Sequence, residues 1–378
     1  MKTSRQFVVA AGGTGGHMTP AHALAVELMR RGHRVALVTD ARGEKIPGLF
    51  DGAQVHVLPA GRIVQNPLSW LRAGRAIWNG RAMASRLYET FEPSAVVGFG
   101  GYPALPALLA ALTRGIPTVV HEQNAVLGRV NRLLAPRVAA IATSYPDVAR
   151  LKASWRARTH LVGNPVRAEV LALREQEYPP LDDNGILRIL VTGGSQGASI
   201  LSRVVPEGLA MLPLNLRRRL QVTQQARAED IDAVRRKYDG LGIPADVQTY
   251  LTDLPSRLAW AHLVIGRAGA STIAELTAAG RPAILVPLPS ATDDHQTANV
   301  RELVAAGGAR VIHEHAFTAV ELAKQMQKLG LDSGALANAA KRARGCGRPN
   351  AAVELANLVE GFGAQPVGQP APLKPAYA

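Results

Sequence analysis

The sequence predicts an α/β protein of two domains, each built around a doubly wound parallel sheet. Its 378 residues suffice for two separate hydrophobic cores. Short apolar runs alternate with helical patterns along most of the chain, as they do when helices connect parallel strands. In addition, one combination occurs twice: an apolar strand, a glycine-rich loop and a helix. Sheets of this type bind ligands at the carboxyl ends of their strands.

The first copy of this combination lies at the start of the chain. Apolar residues 7–11 lead into Gly12-Gly13-Thr14-Gly15-Gly16-His17. We expect the next helix to begin with Thr19 as N-cap and Pro20 as first helical residue. Glycines before a helix N-terminus can bind phosphate through backbone N–H groups and the helix dipole. The loop matches neither the GxGxxG fingerprint nor a P-loop, so a glycine turn without a ligand remains an alternative.

The second copy comprises residues 187–191 and Gly193-Gly194-Ser195-Gln196-Gly197. It also satisfies G-x-S-x-G, the nucleophile elbow of hydrolases, with Asp253, His262 and His295 as candidate partners of the serine. Those partners are loosely spaced, and a hydrolase leaves the first loop unexplained. A phosphate-binding loop explains both copies.

A third junction of strand, loop and helix follows at residues 266–272. The helix carries Glu275, whose carboxylate can accept hydrogen bonds from a ribose diol. Alternatively, Glu275 is an acid of the first helical turns that the helix dipole favours. The polar loop 287–296 ends in Asp293-Asp294-His295-Gln296 and can bind hydroxyl groups.

The domain boundary is predicted at Gly163-Asn164-Pro165, which interrupts the pattern like a hinge. We expect residues 1–165 and 166–348 to form the two domains. We expect residues 349–362 to form a terminal helix that packs back on the first domain, and the Pro-rich residues 363–378 to be disordered. The predicted strands are 7–11, 34–39, 55–58, 95–98, 118–120 and 138–142, then 187–191, 220–223, 247–250, 263–265, 283–286 and 310–313.

The positive charge of the chain is concentrated in its first half. The net charge is +14, and residues 1–165 hold 20 Lys and Arg against 8 Asp and Glu. A basic half can bind nucleic acid, an anionic membrane or an anionic substrate.

The apolar run near residues 104–112 is too short to span a bilayer. The single cysteine, Cys346, suits a protein of the cytoplasm.

Residues 62–86 combine five arginines with two tryptophans and no acid. This composition is typical of a patch that touches anionic lipid. Alternatively, Trp70 and Trp78 lie on one inward face of a helix and pack in the core. The candidate membrane patch consists of Trp70, Leu71, Arg72, Arg75, Ile77, Trp78 and Arg81.

Metal-binding motifs are weak. His121-Glu122 lacks the second histidine of HExxH, Asp230-Ile231-Asp232 lies away from any glycine loop, and no cluster has zinc spacing. We therefore expect no bound metal and no cofactor.

Seven motifs in order resemble the MurG family of GT-B glycosyltransferases, which add N-acetylglucosamine to lipid I in peptidoglycan synthesis. The resemblance covers about residues 5–360 and implies two Rossmann-like domains facing a deep cleft. The motifs are Gly12–His17, Gly100-Gly101-Tyr102, His121-Glu122-Gln123-Asn124, Gly163–Arg167, Gly193–Ala198, Arg267–Ala270 and Asp293–Gln296.

The resemblance also implies roles for residues at matching positions. The donor, UDP-N-acetylglucosamine, is expected mainly on the C-terminal domain, and the polyprenyl-diphosphate acceptor on the N-terminal domain. Ser195, Gln196, Gly197 and Arg167 would hold the donor diphosphate, and the backbone of Leu251 the uracil. Ala270, Ser271 and Thr272 would line the nucleotide, Glu275 would hold the ribose, and Gln296 and Asn124 the sugar. Thr14, Gly15 and Gly16 would face the acceptor diphosphate, and His17 is the candidate base.

The implied reaction is an inverting transfer at the cytoplasmic face of the inner membrane, beside other cell-wall synthesis proteins. Gly266 departs from the family pattern, where a Ser or Cys often precedes the Arg, and residues 363–378 have no assigned role. Two alternatives remain. One is a UDP-N-acetylglucosamine 2-epimerase of the same fold, for which we expect more acids in the cleft. The other is a basic nucleic-acid-binding protein, against which the aromatic content of 4% argues.

Overall fold

The computed structural model describes residues 4–13, 15–44, 50, 52–59, 67–182, 184–194, 197–329 and 333–362. The side chains of residues 67–71 and 333 are not described. Thr14, Ser195, Gln196 and residues 363–378 therefore lie outside the described part of the chain. Two parallel sheets, each with its own hydrophobic cores, form the predicted pair of α/β domains.

The N-terminal sheet has seven described strands, all parallel, in the order β3-β2-β1-β4-β5-β6-β7. Because the strand order reverses between β1 and β4, the loops after these two strands diverge and leave a crevice at the sheet edge. The strands are β1 (Gln6–Ala10), β2 (Arg34–Thr39), β3 (Gln54–Val57), β4 (Ala95–Gly98), β5 (Thr118–Glu122), β6 (Ala140–Thr143) and β7 (Thr159–Leu161).

Helices cover both faces of this sheet. Helix α1 packs on one face, and α2 and α3 pack together on the other. The helices of this half are α1 (Gly15–Arg30), α2 (Pro67–Phe91), α3 (Gly101–Thr113) and α4 (Arg129–Leu134), with a 3₁₀ turn at Ala153–Arg158.

The C-terminal sheet repeats the arrangement with six described strands in the order β10-β9-β8-β11-β12-β13. Its crevice lies between the loops after β8 and β11. The strands are β8 (Leu187–Thr192), β9 (Leu220–Gln225), β10 (Ala245–Gln248), β11 (Leu263–Gly266), β12 (Ala283–Leu285) and β13 (Ala309–Val311).

The remaining helices surround the second sheet, except for the last. They are α5 (Ala168–Leu171), α6 (Ser199–Ala210), α7 (Leu214–Arg217), α8 (Ile231–Leu241), α9 (Leu254–Trp260), α10 (Ala270–Ala279), α11 (His295–Asn299), α12 (Arg301–Ala305), α13 (Ala319–Lys328), α14 (Ser333–Gly345) and α15 (Ala351–Phe362), with 3₁₀ turns at Ala172–Glu175, Thr292–Asp294 and Glu314–Ala316.

Helix α15 returns to the N-terminal domain and packs against α1. Leu355, Ala356 and Val359 are fully buried in the cluster that contains β1 and α1. At its end, the Glu360 carboxylate meets the buried ring of His33 at 2.7 Å and the Arg31 guanidinium at 3.0 Å. The first and last described elements, β1 and α15, thus lie in the same domain.

The predicted start of α1 is wrong. The helix begins at Gly15, four residues before the expected N-cap Thr19, so Pro20 lies inside it. Proline has no N–H, and the Gly16 carbonyl, four residues earlier, loses its helical donor. Burial of Met18 and Pro20 in the domain nevertheless holds this first stretch helical.

Several strand limits also differ from the prediction. The strand expected at 247–250 is β10 and ends at Gln248, so Tyr250 and Leu251 follow it in a turn. Strand β7 was not predicted, and it ends at Leu161 directly before the hinge. Its Leu161 is exposed, because edge strands carry a weaker apolar pattern than central ones. No helix among the described residues is long and apolar enough to cross a membrane.

Candidate active site between the two domains

Direct contacts bring the carboxyl edges of the two sheets together. The Ser271 hydroxyl of α10 donates to the Gly16 carbonyl of α1 at 3.2 Å, the same carbonyl that Pro20 leaves without a helical donor. Asn299 donates to the Asn124 side chain at 3.1 Å and accepts from the Ala125 N–H at 2.8 Å. The two predicted glycine loops therefore flank one shared crevice.

A second set of contacts closes the rim of this crevice. The Asp293 carboxylate pairs with Arg132 at 2.9 Å and with Arg150 at 3.0 Å, both in the N-terminal domain. Asp293 and Asp294 have φ values of 57° and 52°, a left-handed conformation that is costly for residues other than glycine. Interdomain ion pairs thus hold a strained loop of the C-terminal domain against the other domain.

Gly12 and Gly13 of the first loop cannot be replaced by larger residues without strain. A Cβ atom on Gly12 would lie 2.6 Å from the Pro103 side chain, and Gly13 has φ +87°. The Gly13 N–H donates to Asp40 at 3.0 Å. Burial raises the pKa of the Asp40 carboxyl, but the N–H donors and Arg42 outweigh it, and the pKa lies below its ordinary value. Gly15 and Gly16 form the first turn of α1, where free N–H groups can bind an anion.

His17 lies in this first turn and is half-buried. Its Nδ1 lies 3.1 Å from the amide oxygen of Gln123. The opposite edge of the ring lies over Gly100 and Gly101, 3.6–3.7 Å from the positions their Cβ atoms would take. Within the described residues, His17 Nε2 has no hydrogen-bond partner, so this nitrogen is free to accept a proton.

The segment after β5 is a network of buried polar groups. Glu122 accepts from the N–H groups of Asn124 and Gly128 at 3.0 and 2.7 Å and from Asn131 at 2.9 Å. The Asn124 side chain also donates to Glu122 and accepts from Asn299. Asn124, expected at the sugar, here joins the two domains.

The described glycines of the second loop also resist replacement by larger residues. A Cβ atom on Gly193 would lie 2.5 Å from the Ala198 nitrogen, and Gly194 and Gly197 have φ values of +77° and +66°. The Gly193 N–H donates to Gln225 at 3.2 Å. The loop leads into α6, so Gly197 lies at a helix N-terminus as expected.

Helix α10 has its N-terminus at the crevice, and no side chain caps it. Ala270, Ser271 and Thr272 form its first turn, whose N–H groups are available for an anion or a hydroxyl. Deeper in α10, Glu275 is buried and meets the Arg167 guanidinium at 3.0 Å. Burial raises the pKa of Glu275 above its ordinary value, although Arg167 opposes this rise.

Gln296 and Leu251 occupy opposite sides of the C-terminal crevice edge. The amide oxygen of Gln296 accepts from the N–H groups of Ala268 at 3.2 Å and Leu288 at 2.9 Å. This leaves its amide nitrogen without a partner among the described residues. Leu251 has a buried side chain, and it follows β10 after a short turn.

The patch predicted between residues 62 and 86 lies on α2. Trp78 is 67% exposed, and Arg81 lies over its ring at 5.3 Å, so this tryptophan is not part of the core. Arg72 and Arg75 are exposed, whereas Ile77 is half-buried against the core. Trp70 and Leu71 belong to α2, but their side chains lie outside the described part of the chain.

The structure does not support the hydrolase alternative. His262 is buried and bonds the Arg188 N–H and the Pro180 carbonyl, whereas His295 bonds the Thr292 carbonyl. Asp253 pairs with Arg257 at 2.8 Å.

In the parts of the chain that the structure describes, no three His, Cys, Asp or Glu side chains lie together as metal ligands would.

Two site residues escaped the sequence analysis. Gln123 belongs to the motif His121-Glu122-Gln123-Asn124, but nothing in this motif indicates a contact with His17, 106 residues earlier. Asn299 lies one turn after Gln296 and is fully buried. In the sequence, only its position three residues after the polar loop 287–296 pointed to it.

Comparison with known proteins agrees with this geometry. Residues 7–143 match the glycosyltransferase family 28 N-terminal domain, and residues 188–355 match the glycosyltransferase family 28 C-terminal domain. The UDP-N-acetylglucosamine--N-acetylmuramyl-(pentapeptide) pyrophosphoryl-undecaprenol N-acetylglucosamine transferase of Zymomonas mobilis is 65% identical over 363 residues, which cover 96% of this chain and 94% of the relative.

Solved structures extend the comparison. The crystal structure of Acinetobacter baumannii MurG is 28% identical, with a TM-score of 0.73 over 94% of this chain and 99% of that one. A UDP-GlcNAc 2-epimerase from Neisseria meningitidis has a TM-score of 0.62 but only 15% identity, over 94% of this chain and 100% of the other, and therefore shares the fold alone. With its two family 28 domains in a GT-B arrangement, the chain belongs to the MurG family of glycosyltransferases.

Proposed function

We propose that the chain transfers N-acetylglucosamine from UDP-N-acetylglucosamine to the muramyl sugar of undecaprenyl-diphosphate-MurNAc-pentapeptide. The observation that carries this proposal is the 65% identity, over almost its whole length, to a relative that bears the name of this transferase. The crevice with two glycine loops and the uncapped N-termini of α6 and α10 fits substrates that each carry a diphosphate.

The donor occupies the C-terminal side of the crevice in this proposal. Ser195, Gln196 and Gly197, at the N-terminus of α6, hold the diphosphate, and Leu251 holds the uracil through its backbone. The first turn of α10, residues 270–272, lines the nucleotide. The free amide nitrogen of Gln296 supports a contact with a sugar hydroxyl.

Arg167 and Glu275 act as a pair near the same helix. Arg167 lies beside the donor diphosphate, and Glu275 holds the ribose. Their 3.0 Å contact supports a coupled role, because the buried carboxylate fixes the guanidinium at the crevice, and the guanidinium opposes the rise that burial causes in the pKa of Glu275. Asn124 approaches the sugar from the N-terminal domain.

The acceptor occupies the N-terminal side. Its diphosphate lies on Thr14, Gly15 and Gly16 at the N-terminus of α1, within the basic half of the chain. His17 Nε2 takes the proton of the attacking 4-hydroxyl. The hydroxyl oxygen forms a bond to the anomeric carbon as the bond to UDP breaks, so the α-linked sugar becomes β-linked. The developing charge on the diphosphate is stabilised by helix N-termini and Arg167.

The acceptor is a lipid, so the protein acts as a peripheral protein at the cytoplasmic face of the inner membrane. The exposed Trp78 with Arg72, Arg75 and Arg81 on the same helix supports contact with an anionic surface. In the sequence, Trp70 and Leu71 directly precede Arg72 on the same helix, and the proposal includes them in the membrane contact. In this arrangement residues 1–165 face acceptor and membrane, residues 166–348 bind the donor, and other cell-wall synthesis proteins act beside it.

One assay tests this function. Radiolabelled N-acetylglucosamine is followed from UDP-N-acetylglucosamine to a lipid I analogue, with a reaction lacking the acceptor as control. We expect transfer with release of UDP only when the acceptor is present. Conversion of the donor to its 2-epimer without transfer would instead support the epimerase. Tight binding of a labelled oligonucleotide without any reaction would support the nucleic-acid-binding alternative.

A further inference from the structure

A series of hydrogen bonds runs from Gly163 to His17, and the donor of each bond can be assigned from chemistry. The first bond joins the carbonyl of Gly163 to Nε2 of His121, which lie 2.9 Å apart. A carbonyl oxygen only accepts hydrogen bonds, so the proton of this contact belongs to His121 Nε2.

His121 is neutral, and this determines whether its Nδ1 atom carries a proton. The ring is fully buried against Phe99, and burial lowers the pKa of His121 to about 4. A neutral imidazole carries a single ring proton, and the Gly163 contact places it on Nε2. The Nδ1 atom of His121 is therefore an acceptor.

The orientation of the Gln123 amide follows from the same carbonyl argument. Gln123 Nε2 lies 3.1 Å from the backbone oxygen of His121 and 3.0 Å from its Nδ1. Both are acceptors, and together they use the two hydrogens of the amide nitrogen. The amide oxygen of Gln123 then faces Nδ1 of His17 at 3.1 Å and can only accept from it.

We propose that His121 and Gln123 are positioning residues that hold His17 in the tautomer with its proton on Nδ1 and its lone pair on Nε2. Buried surroundings hold these hydrogen bonds in place. Gln123 and His121 are almost fully inaccessible to solvent, and Asn131 donates to the His121 carbonyl at 3.2 Å. The catalytic consequence of this tautomer rests on the function proposed above, but the tautomer itself does not.

The surroundings of Nε2 fit this assignment. Gly100 and Gly101 adopt φ values of +77° and +74° and carry no side chains over the Nε2 edge of His17. The edge that presents the lone pair therefore stays open, while the edge that carries the proton is held by Gln123. A general base needs this arrangement, because a protonated Nε2 cannot accept the proton of a hydroxyl.

Proton–nitrogen correlation spectra of protein carrying isotope-labelled histidine test the tautomer directly. The His17 signals are assigned by their loss in His17→Gln. We expect a directly protonated Nδ1 and an unprotonated Nε2 at neutral pH. A protonated Nε2, or an average of both tautomers, would overturn the proposal. If transfer activity is absent but this tautomer is found, the proposed function fails while the tautomer assignment stands.

Variants of Gln123 link the tautomer to the reaction. Gln123→Met keeps the volume but removes both hydrogen-bonding groups, so we expect mixed His17 tautomers. The kcat should fall by about 10- to 10²-fold with little change in the KM for UDP-N-acetylglucosamine. Gln123→Glu still accepts from His17 Nδ1, but one of its oxygens then faces the carbonyl and Nδ1 of His121 in place of a donor. It should therefore restore the tautomer and only part of the kcat.

Gln224→Met is the matched control, since Gln224 is a buried glutamine of β9 that bonds Tyr238 and lies in the other domain. We expect it to leave the His17 spectrum unchanged. Retention of the Nδ1 proton and of full kcat in Gln123→Met would refute the positioning role. Equal loss of kcat in the Met and Glu variants, with the same spectrum in both, would also refute it.

Discussion

At the scale of single residues, His17 is the side chain on which the proposed chemistry depends. Its Nδ1 contacts Gln123, and its Nε2 is free among the described residues. We expect His17→Gln to lower kcat by about 10²–10⁴-fold, because glutamine keeps a polar contact but cannot accept a proton. The KM for UDP-N-acetylglucosamine should change little. Steady-state kinetics of transfer to a lipid I analogue measures both constants.

His160→Gln is a suitable control, since His160 is exposed on β7 away from the crevice. It should keep the kcat of the unaltered chain. Near-full kcat in His17→Gln would contradict the assignment of His17 as base and leave it as a residue that only positions phosphate.

The second prediction for a single residue concerns His121 and the pH dependence of the free energy of unfolding. Burial lowers its pKa to about 4, against 6.5 for an accessible histidine. Between these values the unfolded chain binds a proton that the folded chain does not, so the free energy of unfolding falls as pH drops below about 6.5. From pH 7 to pH 5 the loss from this one group is about 2 kcal/mol.

Urea unfolding of the unaltered chain and of His121→Asn at both pH values measures this contribution. Asparagine has no titratable group, so the variant should lose less stability on acidification than the unaltered chain. His160→Gln, which removes a histidine from an exposed position of β7, is the control. An identical pH dependence in His121→Asn would show that His121 does not remain neutral in the fold.

Sequence reasoning reached some of these residues and not others. The glycines of the first loop and His17 stand in one contiguous motif, so the sequence predicts their position. The contact between His17 and Gln123 joins residues 106 positions apart, and the parallel order of β1, β4 and β5 creates it. Pro20 shows the opposite case, because a local rule placed it at the helix start and tertiary packing overrode that rule.

At the scale of elements, α2 presents a basic face with an exposed tryptophan. We expect the double variant Trp78→Ser and Arg75→Glu to lose binding to anionic vesicles, since it removes an interfacial side chain and reverses a charge. Co-sedimentation with vesicles of anionic and of neutral lipid measures the loss. The unaltered chain should bind the anionic vesicles more strongly, and this preference should weaken with salt.

Arg236→Glu provides the control for charge, since it makes the same change on the exposed face of α8 in the other domain. Binding should persist in this variant. If the double variant binds anionic vesicles as well as the unaltered chain does, the patch on α2 is not the membrane contact.

Helix α15 is the second element with a testable role, because it follows the C-terminal domain in the chain and packs on the N-terminal domain. Leu355 is fully buried between α15 and the sheet. We expect Leu355→Ala to reduce the free energy of unfolding by about 2–5 kcal/mol through a cavity. Val353→Ala, at a 39% exposed position of the same helix, should change it by less than about 0.5 kcal/mol. Urea denaturation compares the two, and equal effects would mean that α15 is not packed as described.

The central strands were predictable because they are short, fully buried apolar runs next to glycine loops. The ends of the strands were less predictable where the apolar pattern of the sequence is weak. Strand β10 ends at Gln248, two residues before the predicted end, since Tyr250 is exposed and contributes no buried side chain. Edge strand β7 carries exposed residues and gave no apolar signal. Burial on both faces therefore explains why the central strands were predictable.

At the scale of the whole molecule, the described polar contacts between the two domains differ in burial. Asp293 pairs with two arginines whose side chains are partly exposed, so each pair contributes little and weakens with salt. Asn299, by contrast, is fully buried and bonds two residues of the N-terminal domain. Closure of the crevice therefore depends more on Asn299 than on the ion pairs.

Asn299→Ala tests this dependence. In the closed arrangement the variant leaves the buried N–H of Ala125 without an acceptor, whereas water can bind that N–H when the domains separate. The cost of about 1–3 kcal/mol falls on the closed arrangement alone, so the ratio of closed to open molecules should drop about 5- to 150-fold. Small-angle scattering should show a larger radius of gyration, and the KM for UDP-N-acetylglucosamine should rise. Asn215→Ala, at an exposed position of α7, should change neither. An unchanged radius of gyration in Asn299→Ala would mean that other contacts hold the domains together.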